Sequence, residues 1–205
     1  MCINANASIS TFVFSIVSSF ILIYFGNKKY QKENLMAGIS FIYVAFMQIY
    51  EYFFWIDLDN KKGYNKISTL LASFFNYTQP TAVYLAKEFA FQQNNIYITI
   101  INIAYFIYFL FMYKNYIDNG DLITRVKHKH LYWGWIDHFN FIPYMLVLIL
   151  NIFTIMNIRY SLVLFFTITT LYLLSYLNFK EHAGAFWCFF VAYLPIFLCI
   201  STYFF

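Results

Sequence analysis

The sequence predicts an all-α protein, a polytopic transmembrane helix bundle of about seven spans. Of its 205 residues, 62% are hydrophobic and only 11% are charged. Soluble domains carry about 25% charged and about 45–50% apolar residues, so this composition is typical of a chain surrounded by lipid. Long apolar runs recur along the whole chain. Each is expected to be helical, because an unpaired backbone group in lipid costs several kcal/mol.

The first four predicted spans are apolar runs that end at polar or charged residues. They cover residues 9–25, 35–56, 67–86 and 96–113. Two lysines follow the first run soon after its end, Asp57 follows the second, and Lys87 and Glu88 follow the third. Charge at the ends of an apolar run marks where the helix leaves the membrane.

Three further spans follow a long polar stretch, residues 114–140. They cover residues 141–156, 161–179 and 183–205. The short connection 157–160 makes the fifth and sixth spans antiparallel neighbours. No linker or second domain interrupts the pattern, so residues 1–205 are predicted to form a single transmembrane domain.

This composition excludes a soluble enzyme, a nucleic-acid-binding domain and a disordered chain, and it predicts the lipid bilayer as the main partner. Three cysteines, Cys2, Cys188 and Cys199, are too few and too scattered for a disulfide framework or a zinc cage, and no cofactor is predicted. The first span lacks the features of a cleaved signal peptide and is expected to be retained. The distribution of basic residues leaves the orientation open, and the oligomeric state is not predicted.

Glu51 is the clearest candidate for a functional residue. An ionisable residue inside a span costs roughly 2.5–3.5 kcal/mol for the worst cases, so it is the first place to look for function. Gln48, Glu51 and Trp55 have i, i+3, i+7 spacing and share one helix face. The alternative interpretation is a solvated or hydrogen-bonded carboxyl group near the membrane interface.

The third span carries two amides next to a proline. Asn76 and Gln79 are three residues apart, and Pro80 is expected to kink the helix, to free a carbonyl group near residue 76 and to act as a hinge. At 1.5 Å per residue, Asn76 reaches the depth of Gln48, on the side where the second span ends. The alternative is that these amides only hold helices together.

The last span begins on that same side of the membrane. His182 lies at its boundary, and Trp187 lies close to the depth of Glu51. If the second, third and seventh spans are neighbours, a set of side chains lines one polar pocket: Gln48, Glu51, Trp55, Asn76, Gln79, His182 and Trp187. The competing interpretations are an interfacial histidine for His182 and a packing thiol for Cys188.

Histidines in and after the long loop are weak metal candidates. The set consists of His128, His130, His138 and His182. His-x-His with a distant third histidine is not a recognised zinc spacing, and the lysines around it would repel a metal ion. A basic loop with an interfacial Trp/Tyr belt is therefore the preferred interpretation, and no metal site is predicted.

Several short motifs together resemble a known group of proteins. They are Met1-Cys2 with Ala7-Ser8, Met47-Gln48 with Glu51 and Trp55, Gln79-Pro80, and Gly184-Ala185-Phe186-Trp187-Cys188. This pattern resembles uncharacterised multi-pass membrane proteins of large nucleocytoplasmic DNA viruses and some protists. The resemblance implies a multi-pass fold, and it implies no activity and no catalytic residue.

Three functions are compatible with these patterns. The first is a transporter or channel for a small cation, a proton or a polar solute, with Glu51 as its charged group and Pro80 as its hinge. The second is a membrane-embedded, metal-dependent hydrolase. The third is a structural or partner-binding membrane protein, such as a virion envelope component, in which the polar residues only join helices.

Overall fold

The computed structural model describes residues 4–93, 95–127, 129–154 and 157–204, without the side chain of Glu181. Its architecture is an all-α bundle with one short β-hairpin. The helices, in chain order, are α1 (Ala5–Phe25), α2 (Gln31–Ile56), α3 (Tyr64–Tyr77), α4 (Gln79–Phe91), α5 (Ile96–Asn119), α6 (Phe141–Phe153), α7 (Ile158–Phe179), α8 (Ala183–Val191) and α9 (Leu194–Ser201). The all-α class predicted from the sequence is confirmed.

Asparagine caps explain why several helices begin where they do. The Asn4 side chain accepts a hydrogen bond from the Ala7 amide at 2.9 Å, so α1 begins before its apolar run. Asn95, Asn140 and Asn157 cap α5, α6 and α7 in the same way. Asparagine is among the best N-cap residues, because its side-chain oxygen satisfies free amide groups of the first turn.

Four segments of the described chain are long and apolar enough to cross a membrane: α1, residues 28–56 (which contain α2), α5 and α7. The pair α8–α9 adds a fifth if the two helices, bent by 44°, form one broken span. These helices support a membrane protein in general, whereas seven spans are not confirmed. Helix α6 has 13 residues and is about 20 Å long, short of a bilayer core of about 30 Å. Residues 155–156, the end of its predicted span, lie outside the described residues.

Helices α1 and α2 pack closely through small side chains. The buried face of α1 carries hydroxyl residues at helical spacing: Ser8, Thr11, Ser15, Ser18 and Ser19. On α2, a Cβ atom at Gly38 would lie 2.7 Å from Cδ1 of Ile23 and 3.2 Å from the Ser19 carbonyl oxygen. Small residues at such positions let two helix backbones approach each other.

Substituting alanine for Gly38 is therefore expected to destabilise the protein, by about 1–3 kcal/mol, as overpacking usually does. The free energy of unfolding in detergent measures this effect. The double variant Gly38→Ala, Ile23→Val should recover part of the loss, because it removes a methyl group from the clash. A stabilised Gly38→Ala variant would contradict close packing here, since alanine is otherwise the better helix former.

The predicted third span is two helices with a break at Thr78. Pro80 stands in the first turn of α4, where its missing amide costs least. The Tyr105 hydroxyl donates to the Tyr77 carbonyl at 2.6 Å, and the Asn151 amide donates to the Pro80 carbonyl at 2.9 Å. Side chains from α5 and α6 thus satisfy carbonyl groups at the break, which is buried in the bundle.

Asn151 and Asn102 also bind each other. Each amide nitrogen donates to the other's oxygen, at 2.9 and 3.0 Å, and both residues are buried. The pair joins α5 to α6, and through Pro80 it joins both to α4. The two amides pair with each other, and each also donates to a backbone carbonyl, of Ile98 or of Pro80. This pair is therefore a structural connection between helices.

Residues 120–140 fold over one end of the bundle, which we call the capped end. Strands β1 (Arg125–Lys127) and β2 (His130–Tyr132) form an antiparallel hairpin, followed by a 3₁₀ turn at Gly134–His138. Trp133 and Trp135 are 1% and 0% exposed, with their rings stacked at 5.0 Å. The prediction of an interfacial aromatic belt in this loop is therefore wrong for these two residues, which pack into the bundle against α2 and α8.

The connection between α2 and α3 is organised by Asp57. Its carboxylate accepts backbone hydrogen bonds from Lys62 at 3.1 Å and Tyr64 at 2.8 Å. Burial works to raise the pKa of Asp57, but these backbone amides together lower it below its usual value. The carboxylate form therefore stabilises the folded state.

We expect Asp57→Asn to lower the unfolding temperature at pH 7. Because the pKa of Asp57 is lower in the folded state than in the unfolded state, its carboxylate stabilises the fold fully at pH values above the unfolded-state pKa of about 4. This contribution is lost as the pH falls through the folded-state pKa. The difference from wild type should therefore shrink below about pH 4. Asp59→Asn, at an exposed position of the same loop, is the control. An Asp57→Asn deficit that is independent of pH would rule out this interpretation.

Candidate functional site

The candidate site extends through the interior of the bundle as far as the capped end. It has three parts: a buried polar pair on α2, a small cavity beside it, and a larger aromatic cavity that opens at the capped end. The sequence predicted one pocket, whereas the structure distributes five of the seven predicted residues among these parts.

The polar pair consists of Gln48 and Glu51, which are 1% and 0% exposed. Together with Val44 they have i, i+4, i+7 spacing, so all three lie on one face of α2. Neither the amide oxygen nor the amide nitrogen of Gln48 has a hydrogen-bond partner among the described residues. Leaving such a group unpaired costs about 1–3 kcal/mol, which makes Gln48 a candidate for a functional role.

Glu51 faces α8. Its carboxyl group lies within electrostatic range of the buried Cys188 thiol, across the α2–α8 contact. One turn away, the Phe54 ring contacts Trp135 of the cap at 6.3 Å between centroids. The buried Glu51 therefore lies near α8, one turn before the part of α2 that contacts the cap.

The small cavity has a volume of about 40 Å³ and lies among α2, α4, α6, α7 and α8. Val44 lines it, which places the cavity one turn from Gln48 on the same face of α2. Ser40 and Gln79 are its polar lining residues, and Trp187 and Val191 are among the apolar ones. A space of this size holds one water molecule or a small ion, since about 10–15 Å³ suffices for a water.

Gln79 links the small cavity to α6. Its Oε1 accepts a hydrogen bond from the Tyr144 hydroxyl at 2.6 Å, whereas its Nε2 has no hydrogen-bond partner among the described residues. Pro80, the predicted hinge, is buried beside it and bound by Asn151. The Nε2 donor of Gln79 and the side-chain amide of Gln48 thus both lie near the small cavity without a hydrogen-bond partner among the described residues.

The aromatic cavity has a volume of about 330 Å³. Its lining residues are Asn76, Tyr77, Ile136, Phe139, Phe141, Tyr144, Tyr172, Tyr176, Lys180, Ala183, Gly184 and Trp187. Of the predicted pocket residues, the structure brings Asn76 and Trp187 together here. Trp187 also lines the small cavity, so its ring stands between the two spaces.

Like Gln48 and Glu51, two other predicted residues line neither cavity. Trp55 is half-buried on the last turn of α2. His182 is buried beneath the hairpin, with Nδ1 3.2 Å from the Leu131 carbonyl oxygen. His182 thus connects the start of α8 to the cap.

The weak metal candidates do not assemble into one group. His130 and His182 lie side by side with ring centroids 5.4 Å apart, while His138 contacts Tyr116 instead. Within the described residues, no three histidine, cysteine, aspartate or glutamate side chains come together as metal ligands. His128 lies outside those residues.

Sequence reasoning missed the aromatic cavity. Tyr172, Tyr176 and Lys180 are spaced four residues apart along the end of α7, which places them on one face. That spacing could have indicated a polar face reaching the membrane boundary. No short-range signal could have indicated Phe139 or Tyr144, which reach the cavity from another helix and its preceding loop.

The fold and the buried polar pair define the class: an all-α protein with several helices fit to cross a membrane. Comparison with protein-family models, with curated proteins and with solved structures finds no match. The resemblance to viral and protist membrane proteins stays a prediction.

Proposed function

We propose that the protein is an integral, seven-pass membrane protein that passes a proton or a small cation. The passes are α1, α2, the broken pair α3–α4, α5, α6, α7 and the broken pair α8–α9. Glu51 is the group that exchanges the proton or binds the cation, and Gln48 and Gln79 supply further polar contacts. The bilayer and the small ion are the partners of the protein in this proposal.

One observation carries the proposal. The amide of Gln48 is fully buried without a hydrogen-bond partner among the described residues, one turn from buried Glu51. Buried polar groups in membrane helices are expensive, and they are retained where an ion or proton pathway uses them. A role in joining helices would instead give contacts like those of Asn102 and Asn151.

The surrounding helices support the same function. Both broken pairs pack against α2, with α4, α8 and α9 in contact with it. Transporters form ion sites at discontinuous helices, where polar groups become available at membrane depth. The small cavity next to Gln48 suits a proton, a water molecule or a small ion, and it is too small for a larger solute.

Flux in liposomes containing the purified protein tests the proposal. We expect the folded wild type to dissipate an imposed gradient of protons, Na⁺ or K⁺. Glu51→Gln should lower that flux by roughly a hundredfold, the usual loss when a proton-transferring group is removed. Asp118→Asn, at an exposed position of α5, is the control and should leave flux unchanged.

Normal flux in folded Glu51→Gln protein would contradict the proposal. If folded wild-type protein passes none of these ions, the structural role becomes the better explanation of the bundle. The metal-dependent hydrolase would then require metal analysis to show about one zinc ion per chain.

A further inference from the structure

The aromatic cavity has the features of a separate binding site. We propose that it binds a small anionic amphiphile, whose single carboxylate or phosphate group contacts Lys180 and whose apolar body lies against the aromatic walls. This site is distinct from the ion site proposed at Glu51, and it does not depend on it.

The walls of the cavity determine the body of the ligand. Tyr77, Phe139, Tyr144 and Trp187 are buried side chains that form its inner surface. Pockets for small molecules have volumes of about 300–1,000 Å³ and are lined mainly by apolar and aromatic side chains with a few polar groups. At about 330 Å³ the cavity fits a small ligand or one segment of a lipid chain.

The charge at the mouth determines the head group. Lys180 is the only formally charged residue among the described residues that line the cavity. Asp137 of the cap lies within electrostatic range of Tyr77, but it accepts a hydrogen bond from the Tyr132 hydroxyl and does not line the cavity. An ammonium group beside aromatic walls favours an anion with an apolar body, and an ammonium–oxygen contact is among the stronger hydrogen bonds.

Other polar groups at the cavity are available to the ligand. Asn76 contributes a side-chain amide to the lining, and Tyr172 and Tyr176 contribute hydroxyl groups. These groups and Lys180 are the polar part of a lining that is otherwise mostly apolar. They can donate hydrogen bonds to carboxylate or phosphate oxygens.

The position of the cavity suits a molecule that comes from the membrane. Phe141 and Tyr176 are 39% and 54% exposed on the outer surface of the bundle, and Lys180 is exposed where α7 ends. A lysine at a helix end extends its ammonium group to the membrane–water boundary. An amphiphile would therefore place its head group at Lys180 and its chain between the exposed aromatic residues.

Quenching of Trp187 fluorescence by brominated chains tests this inference. The probes are dibromostearate and its uncharged methyl ester, added to the protein in neutral phosphatidylcholine bilayers. A third sample uses bilayers that contain brominated phosphatidic acid. The Trp187 signal is the difference between wild type and Trp187→Phe. Dibromostearate tests a free amphiphile, and phosphatidic acid tests the head group of a bilayer lipid.

We expect saturable quenching of Trp187 by at least one anionic probe. Lys180→Gln should weaken that binding by about tenfold, the effect of losing one charge-assisted hydrogen bond. Lys114→Gln, an exposed lysine near the end of α5, is the matched control and should bind like wild type. Because Lys180 is exposed, its replacement should leave the fold intact.

Three results would overturn the inference. The first is quenching that rises linearly with every probe, as general lipid contact would give. The second is equal quenching by the ester and the acid together with no saturable quenching by phosphatidic acid, and the third is unchanged affinity in Lys180→Gln. None of these depends on ion flux, so the inference fails or survives independently of the proposed function.

Discussion

Replacing Gln48 with leucine is expected to make the protein more stable and to remove its ion flux. The buried Gln48 amide has no hydrogen-bond partner among the described residues. Leucine removes that polar group while filling a similar volume, so the free energy of unfolding should rise by about 1–3 kcal/mol. Flux should fall together with this gain, because functional sites commonly retain groups that cost stability.

Reversible unfolding in detergent, with flux measured on the same preparations, provides the test. Gln31→Leu, at an exposed position on the same helix, is the matched control and should change neither quantity by much. If Gln48→Leu lowers stability by more than about 1 kcal/mol, Gln48 holds helices together and the proposed ion site loses its main support.

Replacing Asn151 with leucine is expected to have the opposite effect on stability. The substitution breaks the hydrogen bonds with Asn102 and with the Pro80 carbonyl, and it leaves polar groups of both residues unpaired in the bundle. Single hydrogen bonds in membrane proteins contribute about 0.6–2 kcal/mol, so the loss of three should cost about 2–4 kcal/mol. The break between α3 and α4 should become the least stable part of the bundle.

The unfolding free energies of Asn151→Leu and of the double variant Asn102→Leu, Asn151→Leu measure this effect. The double variant should lose less than the sum of the single variants, because it leaves no amide facing an apolar partner. Additive losses would contradict a reciprocal pair. A neutral Asn151→Leu variant would show that the pair does not hold the break.

Much of the helical framework could be predicted from the sequence. Helices α2 and α7 end at Ile56 and Phe179, where the apolar runs end. Local composition is sufficient to predict these two helices, because a long apolar run in lipid has few alternatives to a helix. The break before Pro80 was also indicated, since proline disturbs the backbone pairing around it wherever it stands in a helix.

Contacts between distant segments could not be predicted in the same way. Trp133 and Trp135 lie in a basic loop, and their burial depends on how the hairpin folds back over α2 and α8. The partners of Asn151 come from residues 49 and 71 positions away in the sequence. Sequence spacing places side chains on the face of a helix, whereas tertiary packing decides which of them meet.

In the candidate site, too, some features could be predicted from the sequence and others depend on tertiary packing. Gln48 and Glu51 were identified from their spacing and from the rarity of carboxylates in a span. The sequence placed Asn76 and Trp187 in the same pocket as this pair, but the structure locates them in the aromatic cavity with Lys180. Which helices are neighbours decides this distribution, and neither periodicity nor composition contains that information.

Infrared spectroscopy of the Glu51 carboxyl group in bilayers tests the central claim most directly. The measurement compares wild type with Glu51→Gln while pH, heavy water or a cation is varied. If Glu51 exchanges a proton or binds a cation, wild type should show a carboxyl band that responds to these changes and is absent from Glu51→Gln. A Glu51 band that stays constant under all of them would show a sealed structural group and would contradict the proposed function.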